Sequence, residues 1–489
     1  MDTTITKTNP LGTERIGKLV LTFAVPSIIS MVVNALYNIV DQIFIGQGVG
    51  YLGNGATNVV MPMTVIAIAL SLLIGDGAAA YLSLKLGEGD EKSAARGVGC
   101  SISVMLIVGI LLCVLFNLFL EPLCRVFGAT EDILPYAMDY GRIISYGILF
   151  SSIDSGMAGM IRADGSPKYS MAGLLVGCIT NIILDPIFIF VFHWGVKGAA
   201  WATIAGQILN AFLYFAYIWK FKCIRLDKEC FHISGKVMVK VGSLGISSFI
   251  TQIAIVLVMA VTNNILVSYG AESKYGAEIP LTTIGITMKV NQIVSAILLG
   301  LATGAQPIFG YNYGSGQKDR AKQAYRIILA VSTIVLILAF LVFQFAPMSI
   351  VRLFGSESEL YNEFAVKCFK IFLLACPING LQMATGVFFQ AIGKPTQAAI
   401  PFSVPSDCLF APGDLIAAAG IRGGRGIMGR SAGRCAGVYN NFDYVEIILE
   451  KNLGGIYAGK NYYNQQAVRK RWTQYWKRIG KDSECPILR

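Results

Sequence analysis

Long apolar runs separated by short polar turns dominate the chain from Lys18 to about Ile400. A helix that crosses the hydrocarbon of a bilayer needs about 20 mostly apolar residues. Ten runs reach that scale: 18–42, 57–83, 97–120, 136–160, 169–193, 198–221, 237–269, 280–305, 323–346 and 361–390, with an eleventh opening near 396. The period-two alternation of strands is absent, so the runs predict helices rather than a membrane barrel. Lys and Arg sort between alternate turns. Lys85, Lys92 and Arg96 follow the second run, Arg162 and Lys168 the fourth, Lys220 to Lys240 the sixth, and Lys318, Arg320 and Lys322 the eighth. The other turns are nearly free of positive charge, a bias that predicts a cytoplasmic N-terminus.

The runs also repeat. Gly87-Glu88-Gly89-Asp90 after the second returns 227 positions later as Gly314-Ser315-Gly316-Gln317 after the eighth. Arg162-Ala163-Asp164-Gly165-Ser166-Pro167 after the fourth returns 228 positions later as Gln390-Ala391-Ile392-Gly393-Lys394-Pro395 after the tenth. Both copies follow even-numbered runs, so the halves share one orientation. The predicted fold is an all-α polytopic membrane protein of two parallel-repeat six-helix lobes around a central cleft. Residues 1–222 would form the first lobe. Residues 223–400 would hold the seventh run to the start of the eleventh. Twelve spans are expected and ten or eleven are legible.

Composition agrees. Of 489 residues, 54% are hydrophobic and only 14% charged, against about 25% charged in soluble domains. The net charge of +11 owes +6 to residues 401–489, where 13 Lys and Arg face 7 Asp and Glu. With the rest explained by turn bias, nucleic acid is not an expected partner. Eleven cysteines lie scattered in apolar runs without a metal or redox spacing, which reads as small buried hydrophobes in a reducing cell. The two histidines, His193 and His232, form no metal motif, and no cleavable signal precedes the first run.

Against this background, polar residues inside the runs carry the functional reading. Asp41 closes the first run, and an intramembrane carboxylate costs roughly 2.5–3.5 kcal/mol on insertion scales. Asn34, Tyr37, Asn38 and Asp41 share one helical face. Asn181 and Asp185, four apart, share another, and Pro186 loosens the backbone beside them. An amide oxygen with a carboxylate suits a proton or a hard cation such as Na⁺. The plainer reading is that each carboxylate only satisfies its own helix end. Asp154 and Asp76 are further in-run acids. Asp154 is expected to face water, and Asp76, flanked by glycines, to cap a helix break. Tyr37, Tyr140 and Phe150, with Met31, Tyr146 and Met157, could stack on flat cations or simply pack. The second lobe offers amides in its seventh and tenth runs (Gln252, Asn263, Asn264, Asn379 and Gln382) but no acid.

"PSIISMVVNALYNIVDQIFIG", "LGEGD" and "IRADGSPKYSM", in this order and spacing, resemble the multidrug and toxin extrusion (MATE) family over about residues 14–400. The resemblance implies a secondary antiporter that exports cationic amphipathic drugs in exchange for H⁺ or Na⁺ by alternating access. It implies a multi-pass protein of the bacterial cytoplasmic membrane, monomeric, with the lipid bilayer and small cationic substrates as partners. It implies no cofactor beyond the coupling ion. In the branch coupled through the first lobe, Asp41, Asn181 and Asp185 would be joined by a sixth-helix hydroxyl, here Thr203. Taken alone, Thr203 could equally bond its own backbone. Asn34, Tyr37, Asn38, Tyr140, Phe150, Asp154, Gln252 and Gln382 would line the substrate path, and Pro26 would bend the first helix. A lipid-linked oligosaccharide flippase of the same architecture is the alternative. It would favour a cationic cavity, whereas the in-run charges read here are acidic. Nothing supports an enzyme: there is no zinc ligand set and no nucleophile with a base.

After Ile400 the chain turns Gly-, Arg- and Ala-rich, as in "AAAGIRGGRGIMGRSAGRCAGVYNN". Read from the second base of each codon, Pro401–Gly426 permits "LSLSRQIVFLLPAILLPLPAFGGAVG" and Met428–Glu446 permits "WAGPLADVLAFIITLIML". Both resemble the last two helices of the family. An extra base near codons 400–401 is therefore expected, with 401–489 a non-native or disordered tail and the chain as written unstable or inactive.

Overall fold

The computed structural model describes residues 9–271, 278–354, 359–372 and 376–394. The expected eleventh run and the tail lie outside the described residues. In chain order the helices are α1 (Pro10–Thr13), α2 (Ile16–Gly48), α3 (Tyr51–Gly87), α4 (Glu91–Leu118), α5 (Leu120–Val126), α6 (Leu134–Ala163), α7 (Pro167–Pro186) and α8 (Val196–Tyr217), then α9 (Gly235–Ala271), α10 (Glu278–Gly314), α11 (Lys318–Phe345), α12 (Pro347–Phe354), α13 (Glu359–Phe372) and α14 (Cys376–Ala391). Among the described residues, 8 helical segments are long and apolar enough to cross a membrane. Their outer faces carry bare apolar side chains such as Leu118, Phe212 and Phe345, 70%, 72% and 83% exposed. Such faces suit lipid and not water.

The fourth and tenth expected spans also fall on helices. The fourth is the 30-residue α6, but its serines, glycines and Asp154 dilute the apolar run, and α3, α4 and α8 pack against it. Protein neighbours, not lipid, decide its composition. The tenth falls on α13 and α14, with 373–375 between them outside the described residues.

The repeat is copied in helix length and in turn geometry. Helices α3 and α10 both have 37 residues, α4 and α11 both have 28, and each later helix begins and ends 227 positions after its counterpart. The turns between them need a residue with positive φ, which only glycine adopts without steric cost. Gly89 and Gly316 supply it at 77° and 76°, and Gly165 and Gly393 at 87° and 80°.

Helix α2 belongs to both halves. Before Pro26, Leu19, Val20, Phe23 and Ala24 enter a core built with Phe309, Tyr325 and Phe388 of the second half. After Pro26 the helix packs against α7 of the first half. Proline withholds a helical hydrogen bond at this crossing, yet α2 continues through it, with Ser30 Oγ donating to the Pro26 carbonyl at 2.9 Å.

The halves meet at the end that carries the N-terminus, both repeated turns and the segment from α8 to α9, here called the linker end. Glycines permit the approach. A Cβ on Gly245 of α9 would collide with the Leu73 carbonyl of α3, and one on Gly304 of α10 would lie 2.7 Å from Ala24 Cα of α2. Small residues of this kind let membrane helices pack backbone to backbone. The linker itself is pinned by Asp164, fully buried after α6. Its carboxylate accepts from Tyr217 Oη at 2.7 Å and from the Lys222 and Cys223 backbone amides, each at 2.8 Å.

Candidate functional site

Four helices converge in the first half, away from the linker end. Helix α7 ends at Pro186 and opens into a π-helical turn over Ile187–Val191. Such turns widen a helix and recur at functional sites. Asp185 and Asn181, one turn apart on α7, are 0% and 2% exposed. Asn181 links Asp185 to Thr203 of α8. With its amide turned to satisfy both ends, its nitrogen donates to Asp185 Oδ2 at 3.1 Å. Its oxygen then accepts from Thr203 Oγ1 at 3.2 Å and Thr203 N at 3.3 Å.

Asp41 on α2 completes the cluster. Its carboxyl group lies within hydrogen-bonding reach of Asp185, and its buried Oδ1 has no hydrogen-bond partner. Two facing carboxylates are both acceptors, so a bond between them requires a shared proton, and a bare oxygen pair requires a cation. Tyr37 of α2 and Tyr140 of α6 stand close enough to feel both carboxylates. The fold thus gathers Asp41, Asn181, Asp185, Thr203, Tyr37 and Tyr140 in one chamber. His, Cys, Asp and Glu in groups of three or more, as a metal cage would need, are absent among the described residues.

Other candidates sit elsewhere. Asn38 Nδ2 donates to the Asn34 carbonyl at 2.7 Å and to its Oδ1 at 3.2 Å, so this pair bonds along its own helix. Phe150 packs on the core formed by α3, α4, α6 and α8, apart from the carboxylates. Gln252 and Gln382 are half-buried on α9 and α14. The side chains of Asn263, Asn264 and Asn379 lie outside the described residues.

Two expectations need correction. Asp154 does not simply face water. Its Oδ1 is buried without a partner, beside Asn210 of α8 and within electrostatic reach of Tyr37 and Cys178. Gly173 and Gly177 of α7 let α8 approach, and Asn210 packs against both. Asp76 caps no helix break, because α3 is continuous across it. Instead its Oδ2 accepts from Ser248 Oγ of α9 at 2.8 Å, a bond between the halves. Sequence reading also passed over Asn210, a buried polar residue four helical positions from Tyr214, and Lys289, a half-buried cation on α10. Hydropathy averaging hides single polar positions of this kind.

Comparison with known proteins places the chain. The MatE family profile matches residues 26–187 and 248–404. The multidrug export protein MepA of Staphylococcus haemolyticus is 26% identical over 390 residues, 79% of this chain and 83% of that protein. MepA of Staphylococcus aureus strain MSSA476 is 25% identical over 385 residues, 78% and 83% of the two chains. The fold matches the outward-facing conformation of a MATE multidrug resistance transporter with a TM-score of 0.81 and 20% identity, over 91% of this chain and 98% of that one. The two profile segments fall on the two copies of the internal repeat, and the chain belongs to the MatE family of membrane transporters.

Proposed function

We propose that the protein is a secondary multidrug exporter that couples outward movement of cationic amphipathic compounds to inward movement of H⁺ or Na⁺ through Asp41 and Asp185. One observation carries this reading: the two carboxyl groups lie within hydrogen-bonding reach of each other in a buried chamber, with Asn181 tying Asp185 to Thr203. The name of the MepA relatives supports drugs as the cargo. With the linker end taken as cytoplasmic, as the distribution of Lys and Arg favours, the carboxylate cluster lies toward the outer side.

The cycle follows from charge. With one proton or none, the chamber is anionic and holds a cationic drug. Uptake of a proton or Na⁺ from outside lowers that charge by one, changes the hydrogen bonding of α2 beyond Pro26, and releases the drug. Pro26 lies where α2 passes from the second half's core to the chamber, so a bend there would transmit the change. Tyr37 and Tyr140 line the drug's resting place. Asp154 with Asn210 adds a second polar position in the same half.

The test is ethidium efflux from cells expressing the chain, with H⁺ and Na⁺ gradients varied separately and the tail encoded in each frame. Asp41→Asn and Asp185→Asn abolish efflux at unchanged expression. Full transport by both variants removes the reading. If codons 400–401 carry an extra base, restoring the frame restores efflux, and an uninterrupted gene at the locus removes that part alone. A flippase of the same architecture would need a cationic chamber, and Asp41 and Asp185 argue against it.

A further inference from the structure

The Asp76 contact has a feature the transport site does not use. Asp76 Oδ2 accepts from Ser248 Oγ at 2.8 Å, and Ser248 Oγ in turn accepts from Gln390 Nε2 at 3.2 Å. Gln306 Nε2 donates to the Asp76 carbonyl at 3.5 Å. Asp76 belongs to the first half; Ser248, Gln390 and Gln306 belong to the second. A polar relay thus crosses the seam at the linker end. Beside it lies Arg162 of α6, 5% exposed. Its Nε is buried without a hydrogen-bond partner. A Cβ built on Gly159 would lie 3.6 Å from Asp76 Oδ1 and 3.7 Å from Arg162 Nη2, so both atoms border the same small space.

A buried guanidinium nitrogen without a hydrogen-bond partner is costly, and so is a buried carboxylate that loses its donor. Here each is the remedy for the other. We infer that Asp76 is a two-position latch: it bonds Ser248 across the seam while the linker end is closed, and turns to Arg162 when that end opens. Ser248 and Gln390 leave with the second half, whereas Arg162 stays, because α3 and α6 pack in the same half. Exchanging one partner for another keeps the carboxylate satisfied in both states. That keeps two arrangements close enough in free energy to interconvert. The repeat marks the device as particular to one half, since the position equivalent to Arg162 is the neutral Gln390.

The latch rests on the reading that the linker end opens during transport, and its test separates the two. The full chain is reconstituted in lipid nanodiscs and amide hydrogen exchange is followed in 72–90 and 241–248. Ser248→Ala removes the cross-seam donor with little change in volume and speeds exchange in both segments about tenfold, as expected for a hydrogen bond to a charged group. Gly159→Ala places a methyl in ordinary contact with Asp76 Oδ1 and Arg162 Nη2 and 3.2 Å from Ala79 Cβ of α3, which must give slightly. It blocks the approach of Asp76 to Arg162 and slows efflux. Unchanged exchange in Ser248→Ala, or wild-type efflux in Gly159→Ala, overturns the latch. Loss of efflux in Asp41→Asn alongside unchanged exchange in Ser248→Ala removes the latch alone. Faster exchange in Ser248→Ala alongside normal efflux in Asp41→Asn removes the coupling reading and leaves the latch.

Discussion

The two halves of this protein share a backbone plan and differ in chemistry. Helices α3 and α10 have one length, their following turns have one geometry, and Gly77 and Gly304, 227 positions apart, both sit against the opposite half. The residues that break the symmetry are the polar ones. Next to Gly77 stands Asp76, bonded across the seam. Next to Gly304 stands Thr303, whose hydroxyl donates at 2.8 Å to the Leu299 carbonyl of its own helix. Arg162 has Gln390 as its counterpart. Duplication supplies two surfaces that fit each other, and function grows where one copy acquires charge. The contrast is what the proposed coupling through the first half rests on.

The sharpest way to break that contrast is to neutralise the acids of the first half. Asp41→Asn and Asp185→Asn should each lower drug efflux by roughly 100-fold or more, equivalent to about 2.7 kcal/mol. Efflux that survives both would move coupling to the second half, where Lys289 and the amides of α9 and α14 would then need an explanation. A second test challenges the shared part. Gly245→Val and Gly304→Val force side chains into backbone contacts on the two sides of the seam, and such overpacking costs about 1–3 kcal/mol. Both should lower efflux by about tenfold, to similar extents, because the seam is symmetric. A loss confined to one would mean that the halves do not close as equivalent surfaces.

Asp164 tests how tightly the halves are joined. Three donors converge on its buried carboxylate, and a hydrogen bond to a charged group contributes about 1.5–3 kcal/mol. Asp164→Ala should speed amide exchange in 217–226 and lower the unfolding temperature in detergent, while efflux falls less than in the glycine variants. Wild-type exchange there would mean that the linker is held by its apolar contacts, such as the buried Ile224.

The fold was legible because bilayer physics writes it into composition. Runs of apolar residues located the helices, though polar ends were missed, as where the eighth run stops at 305 and α10 continues to Gly314, and the offset of two turn motifs gave the repeat that α3 with α10 and α4 with α11 display. What averaging lost was detail set by neighbours. Helix α6 covers the fourth run and packs against α3, α4 and α8, so it tolerates Asp154 and Arg162. Asp76 looked like a helix cap because glycines flank it. Those glycines serve close packing, Gly75 against Gly156 and Gly77 against Val241, and sequence alone cannot tell a breaking glycine from a packing one. The chamber was legible where spacing is local, as in Asn181 and Asp185. Its link to Asp41 rested on resemblance, since no period relates residues on separate helices.

Thr203 gives the finest test. Its hydroxyl reaches Asn181 and not Asp185 itself, so it acts on the carboxylate through one amide. Thr203→Val keeps the shape and removes that donor, while the Thr203 backbone amide can still hold the Asn181 oxygen. One neutral hydrogen bond contributes about 0.5–1.5 kcal/mol. The expected result is a rise of about fivefold in the H⁺ or Na⁺ concentration that half-activates efflux, with the maximal rate nearly unchanged. Asn181→Leu removes the bridge to both partners and should shift that concentration further. If Thr203→Val instead lowers the maximal rate at unchanged ion dependence, the hydroxyl serves movement of α8 and the ion site consists of Asp41, Asn181 and Asp185 alone.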